Sequence, residues 1–130
     1  MNLLLDSCTF LWLIWNEPSL SNAARIAIQD PDNRVLLSSG SLWEITVKHL
    51  SGKLTLRQPV DPATYYLEQR KVHGLEPLPI DESAIAQLPK LPNLHRDPFD
   101  RLLICQAIAH GLTLVTPDEN IRRYPILTLW

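Results

Sequence analysis

Short, almost wholly apolar runs recur along this chain: Leu3-Leu4-Leu5, Val35-Leu36-Leu37 and Leu112–Val115. A strand with apolar residues on both sides of its pleat has no face to offer water, so it belongs in a sheet covered on both faces. The stretches between the runs carry helical signals. Asp6, Ser7 and Thr9 are N-cap candidates for a helix to about Trp15, and Ser21 opens another. A third helix is expected over Leu42–Leu50 after the Ser38–Ser41 loop, and a fourth over Ala63–His73. Leu75–Ile80 reads as extended, its prolines favouring a sheet edge. A short helix follows from Asp81 to Leu88, then a loop over Pro89–His95. Asp97-Pro98 starts the clearest helix, which stops at His110-Gly111. Asp118–Arg123 is a short helix, and Lys53–Arg57 and Ile126–Leu129 are short extended pieces. Strands alternating with helices predict a single α/β domain over residues 1–130, a mostly parallel sheet with helices on both faces.

The 45% hydrophobic fraction supports a real core. Twelve basic against fourteen acidic residues leave a net charge of −2, which excludes nucleic-acid binding through overall charge but not through a local patch. Cys8 and Cys105 lack metal-ligand spacing and are expected to be reduced, buried thiols of a cytoplasmic protein. Phe10–Trp15 is too short to span a membrane, and no basic segment precedes it as in a signal peptide.

Ligand sites in such sheets gather at the carboxyl ends of strands. Asp6 directly follows the first run, and Asp118 follows the run ending at Val115. Each also has a plain structural role as a helix cap. Glu44 borders the stripe of Trp43, Val47 and Leu50, with the small Gly40 and Ser41 one turn earlier; its competing reading is an i,i+4 ion pair with Lys48. Asp100 shares a helix face with Leu103, Ile104 and Ala107, where an unpaired carboxylate would be costly. Asp97 is explained as the N-cap before Pro98, and also neighbours Arg101. Four carboxylates in one cleft repel one another unless a divalent cation neutralises them, and an all-oxygen set suits Mg²⁺ or Mn²⁺. Such centres serve phosphodiester chemistry.

Leu3-Leu4-Leu5-Asp6 with Phe10-Leu11-Trp12, and Ser41-Leu42-Trp43-Glu44-Ile45 through Gly52-Lys53-Leu54, resemble the PIN-domain ribonucleases, especially the VapC-type toxins of bacterial toxin–antitoxin pairs. His95–Ile104 resembles the most specific block of that group, and Gly111–Asp118 its last acidic motif. The resemblance spans essentially the whole chain. It implies a three-layer PIN-like fold and a metal-binding, catalytic quartet that maps onto Asp6, Glu44, Asp100 and Asp118. Asp100 is preferred to Asp97 because the family's helix aspartate precedes Leu102-Leu103-Ile104 and because it holds the inward face. Ser7, Thr116 and Asp97 are expected to support the metal ligands. Ser7-Cys8 departs from the Thr-His of many relatives, and Pro117 and Glu119 vary the last motif.

The implied activity is metal-dependent endonucleolytic cleavage of RNA, with Mg²⁺ or Mn²⁺ as cofactor. Lys48, Lys53, Arg96 and Arg101 are candidates for a basic, RNA-binding rim around the acids, with Arg122 and Arg123 nearby; His95 is a further candidate phosphate contact. Trp12, Trp15 and Trp43 belong either to the core or to an apolar groove near the first helix. The resemblance implies an antitoxin partner and a homodimer, and no membrane association. Two rival readings are a catalytically inactive PIN-like binding module and a Mg²⁺-dependent phosphatase. The latter lacks a second acid near the first strand and a lysine after Val115.

Overall fold

The computed structural model describes residues 1–54 and 61–130. Five strands form one sheet: β1 (Asn2–Leu5), β2 (Arg34–Ser38), β3 (Glu76–Leu78), β4 (Thr113–Val115) and β5 (Thr128–Leu129), in the order β3-β2-β1-β4-β5, all paired in parallel. The α-helices are α1 (Ser7–Ile14), α2 (Asn22–Gln29), α3 (Ser39–Leu50), α4 (Pro62–Val72), α5 (Glu82–Ile85), α6 (Pro98–His110) and α7 (Glu119–Arg122).

The apolar runs act as expected, with alternate residues serving opposite faces. Leu3, Leu5, Val35, Leu37 and Val115 pack with Phe10, Ala24, Ile45 and Tyr66. Leu4, Leu36 and Leu114 pack with Leu103, Ile104, Ala107 and Ile121 on the other face. Each fully buried leucine contributes about 1.5–3 kcal/mol through removal of its side chain from water. β3 occupies an edge, where Pro77 needs no ladder partner on its outer side.

Several boundaries differ from the sequence reading. α3 begins at Ser39 because Ser38 Oγ accepts the Gly40 N–H, so the serine-rich segment forms the first helical turn. α5 ends at Ile85, and a separate 3₁₀ turn covers Leu88–Lys90, taking in part of the expected loop. The extended piece expected over 53–57 falls largely outside the described residues. α6 keeps both expected ends: Asp97 caps it, and Gly111 stops it at φ 63°, a left-handed conformation that glycine adopts without steric cost.

Two expectations are corrected. Cys8 is exposed while Cys105 is buried, because Cys8 lies in the first turn of α1 between Ser7 and Thr9, which take the inward positions. Of the two places open to Trp43, core or an apolar groove near α1, it takes a groove but not that one, and Val47 and Leu50 go with it. α3 buries Gly40, Ser41, Glu44 and Ile45 instead, and the apolar stripe faces outward, with Trp43 68% exposed. That stripe, with Leu42, Thr46 and residues of α4 including Leu67, lines a groove of about 450 Å³. The groove lies between α3 and α4, not along α1. Trp12 packs on Trp130, with ring centroids 5.7 Å apart. No helix among the described residues is long and apolar enough to cross a membrane.

Candidate metal centre

Strand order reverses on either side of β1: β2 and β3 follow it to one side, and β4 and β5 lie on the other. Such a switch point leaves a crevice at the carboxyl ends of the two strands beside it. Asp6 stands at the end of β1, and Thr116-Pro117-Asp118 follows β4. The two ends are laced together: the Asp6 N–H donates to Val115 O at 3.3 Å, and Thr9 Oγ1 donates to the same carbonyl at 3.0 Å.

Asp6 is buried and serves as the α1 cap, Oδ1 accepting the Thr9 N–H at 2.8 Å. Its other oxygen accepts from Thr116 Oγ1, and that same hydroxyl oxygen accepts the Asp118 N–H at 3.1 Å. Burial pushes the Asp6 carboxyl above its ordinary value; the hydrogen bonds oppose this, and the charge of Asp118 adds to it. Asp118 is half-buried and caps α7 through the Asn120 N–H.

Glu44 is buried on α3, with Oε1 accepting from Ser7 Oγ at 2.5 Å and Oε2 from Lys48 Nζ at 3.1 Å. Both readings of Glu44 therefore hold: it is an inward-facing acid and also an ion-pair partner. Partial desolvation works against the Lys48 ammonium, but the hydrogen bond and charge of Glu44 raise it above its usual value. Gly40 makes this position accessible to α6. A Cβ there would collide with the Leu102 side chain, so with any larger residue either Leu102 shifts or α3 and α6 part.

Asp100 sits in the first turn of α6 with 18% of its side chain exposed, Oδ2 bonded to His95 Nε2 at 2.8 Å. Burial raises its carboxyl to about 6; the His95 bond opposes this, while the charges of Asp97 and Asp118 add to it. Asp97 Oδ1 accepts the N–H groups of Phe99 and Asp100, the cap role expected from Asp97-Pro98. One ligand atom each from His95, Asp97 and Asp100 lie within 4.8 Å of one another. Three of the acids act on the Cys8 thiol: partial desolvation raises it first, then the charge of Asp6, with Glu44 and Asp100 adding to the rise and Lys48 opposing it.

Hydrogen bonds and charge effects link the four predicted acids, while the ligand atoms that lie within 4.8 Å of one another are those of His95, Asp97 and Asp100, so Asp100 is the one member of the quartet in that group. Ser7 bonds Glu44, Thr116 links Asp6 to Asp118, and Asp118 acts on both Asp6 and Asp100. The donor set is oxygen-rich, and burial raises two of its carboxyls. Lys48 is the one lysine or arginine ion-paired with any of the four among the described residues. Ser41, one turn before Glu44 on α3, is buried with an unpartnered hydroxyl. These residues fit a hard divalent cation, which would relieve their mutual repulsion and desolvation.

The basic residues divide. Lys53 and Arg96 are exposed, whereas Lys48 pairs with Glu44. Arg101 is committed to the fold rather than to the rim: Nη1 donates to the carbonyls of Pro92 and His95 and to Tyr124 Oη. Arg122 lies 3.8 Å from the exposed Glu119, and Arg123 reaches Leu94 O. The contact that sequence reasoning missed is His95 on Asp100. Its only signal was a histidine five residues before an inward aspartate.

A PIN domain family model matches residues 3–127. Ribonuclease VapC22 of Mycobacterium tuberculosis is 33% identical over 131 residues, covering 98% of this chain and 97% of its own. The fold is shared with VapBC2 from Rickettsia felis, solved bound to a DNA fragment from its promoter, at TM-score 0.74 and 21% identity over 100% of this chain and 99% of that one. It is also shared with VapBC-1 from nontypeable Haemophilus influenzae, at TM-score 0.70 and 16% identity, covering 99% and 97%. With a family-model match over residues 3–127 and a relative 33% identical over 98% of its length, this chain belongs to the PIN-domain family.

Proposed function

We propose that this protein is a metal-dependent endoribonuclease, the toxin of a type II toxin–antitoxin pair acting in the cytoplasm. The observation that carries this reading is the hydrogen-bonded junction of Asp6, Thr116 and Asp118 at the carboxyl ends of β1 and β4, with Glu44 bonded to Ser7 beside it and Lys48, paired with Glu44, the one lysine or arginine ion-paired with any of the four acids among the described residues. The 33% identity to a VapC ribonuclease supports RNA as substrate, and the VapBC complexes among its structural neighbours support an antitoxin partner.

Asp6, Glu44, Asp100 and Asp118 would hold Mg²⁺ or Mn²⁺. The bound cation supplies Lewis-acid polarisation of the phosphodiester and activation of the attacking water. The chain's own residues prepare for this. Thr116 and Thr9 hold Asp6 in one orientation, Ser7 does the same for Glu44, whose other oxygen Lys48 occupies, and Asp97 fixes the start of α6 so that Asp100 turns inward. Lys53 and Arg96, both exposed, remain the candidates for phosphate contacts. The apolar α3–α4 groove gives an antitoxin or a second copy surface to bury.

The test is cleavage of a mixed RNA pool by purified protein with Mg²⁺, Mn²⁺ or EDTA, beside folded Asp100→Asn and Asp97→Asn. Metal-dependent cleavage lost in Asp100→Asn and retained in Asp97→Asn is the expected result. Cleavage surviving EDTA, or retained in Asp100→Asn, overturns the reading.

A further inference from the structure

We propose that His95 is a positioning residue for Asp100, fixing the carboxylate that α6 brings to the metal centre; the inference rests on the reading of that centre given above. His95 lies in the segment before α6, and its Nε2–H donates to Asp100 Oδ2 at 2.8 Å, with 20% and 18% of the two side chains exposed. Among the described residues it is the one donor to this carboxylate. Asp97, the nearest neighbour of the same kind, has an oxygen committed to two backbone N–H groups and acts on Asp100 only by repulsion. One oxygen of Asp100 is therefore taken, and the other is left for a cation.

The segment carrying His95 is itself tied down on several sides. Arg101 Nη1 donates to His95 O at 3.2 Å, to Pro92 O at 3.4 Å and to Tyr124 Oη at 3.2 Å. The Leu94 N–H donates to Tyr124 Oη at 3.3 Å, and Arg123 Nη1 reaches Leu94 O at 3.5 Å. Arg101 directly follows Asp100 on α6, so the clamp and the carboxylate ride on one rigid element. Holding an irregular segment in one backbone conformation costs conformational entropy. The bonds from Arg101, Arg123 and Tyr124 offset that cost and hold the backbone from which the imidazole reaches Asp100. A carboxylate on a terminal sp² torsion otherwise rotates broadly, and such outer partners set the affinity of a metal site.

The experiment measures Mn²⁺ affinity by electron paramagnetic resonance, without RNA, in wild type, H95A, H95Q, H95N and Asp100→Asn. Glutamine places an N–H donor where Nε2 stands, whereas asparagine mimics only Nδ1. The expected result is a loss of about 10–100-fold in H95A, recovered largely by H95Q and not by H95N. Unchanged affinity in H95A overturns the proposal, as does equal recovery by Asn and Gln. A nitrogen hyperfine coupling to bound Mn²⁺ that vanishes in H95A also overturns it, since His95 would then be a ligand. If H95A fails to unfold cooperatively, the Gln–Asn contrast decides alone. Wild type that binds no Mn²⁺ brings down the metal reading and the proposal together; wild type that binds while H95A matches it brings down the proposal alone.

Discussion

The hydroxyl of Thr116 donates to Asp6 Oδ2, joining the end of β4 to the end of β1, and its oxygen also accepts the Asp118 N–H. One small side chain thus orders two acids. Thr116→Val removes the donor to a buried carboxylate and the acceptor for a backbone N–H, a loss of about 1–3 kcal/mol of stability. Loss of the bond also raises Asp6 further, because that bond now lowers it. Urea denaturation and the pH profile of cleavage check both effects. Thr116→Ser is expected to stay close to wild type.

Asp100 ties stability to function in opposite directions. Its carboxyl titrates at about 6 in the folded protein against 3.8 for the ordinary group, so the folded state holds the proton more tightly. Its stabilising contribution is complete below pH 3.8 and is lost as pH rises through 6, about 3 kcal/mol at the upper bound. Asp100→Asn is therefore expected to raise the melting temperature of metal-free protein at pH 7 while abolishing cleavage. In wild type, Mn²⁺ affinity is expected to fall as pH drops below about 6, where the proton competes for the carboxylate.

Much of this architecture was legible because the apolar runs admit few arrangements. Leu3–Leu5 and Val35–Leu37 can only be strands covered on both faces, and Asp6 and Asp118 were visible as acids at strand ends. The orientation of α3 was not. Trp43, Val47 and Leu50 form the more apolar stripe, yet the helix turns Gly40, Ser41 and Glu44 inward, where Gly40 meets Leu102 of α6 and Glu44 bonds Ser7, and the groove takes the stripe. Cys8 misled for a related reason: apolar sequence neighbours do not decide which side of a helix's first turn faces water. His95 and the Arg101 clamp depend on Tyr124, far along the chain, so no local pattern announces them.

Gly40→Ala tests the approach of α3 to α6. Its Cβ collides with Leu102, so either the leucine changes rotamer or the helices part. Overpacking of this kind costs about 1–3 kcal/mol. Cleavage is expected to fall more than stability, because Glu44 and Asp100 stand on the two displaced helices. Paired denaturation and activity measurements check this, and G40A/L102A is expected to restore part of the activity.

Lys48→Met removes the ammonium that shares Glu44 with any incoming cation. The lysine is 45% exposed, so the i,i+4 pair contributes no more than about 0.5 kcal/mol. Stability should barely move, while Mn²⁺ affinity rises. Titration calorimetry of the folded variant reads this directly, and a loss of affinity would show instead that Lys48 holds Glu44 in its binding orientation.

The bond between Thr116 and Asp6 closes a separation of 110 residues. Closing so long a loop is entropically costly, and parallel pairing between distant strands is slow to form. The catalytic constellation therefore has no local precursor: helix and turn formation can proceed along most of the chain without bringing any two of the β1 and β4 acids together. On the proposed reading the centre exists only once β4 has docked beside β1, and a chain caught short of that step carries every acid and no centre.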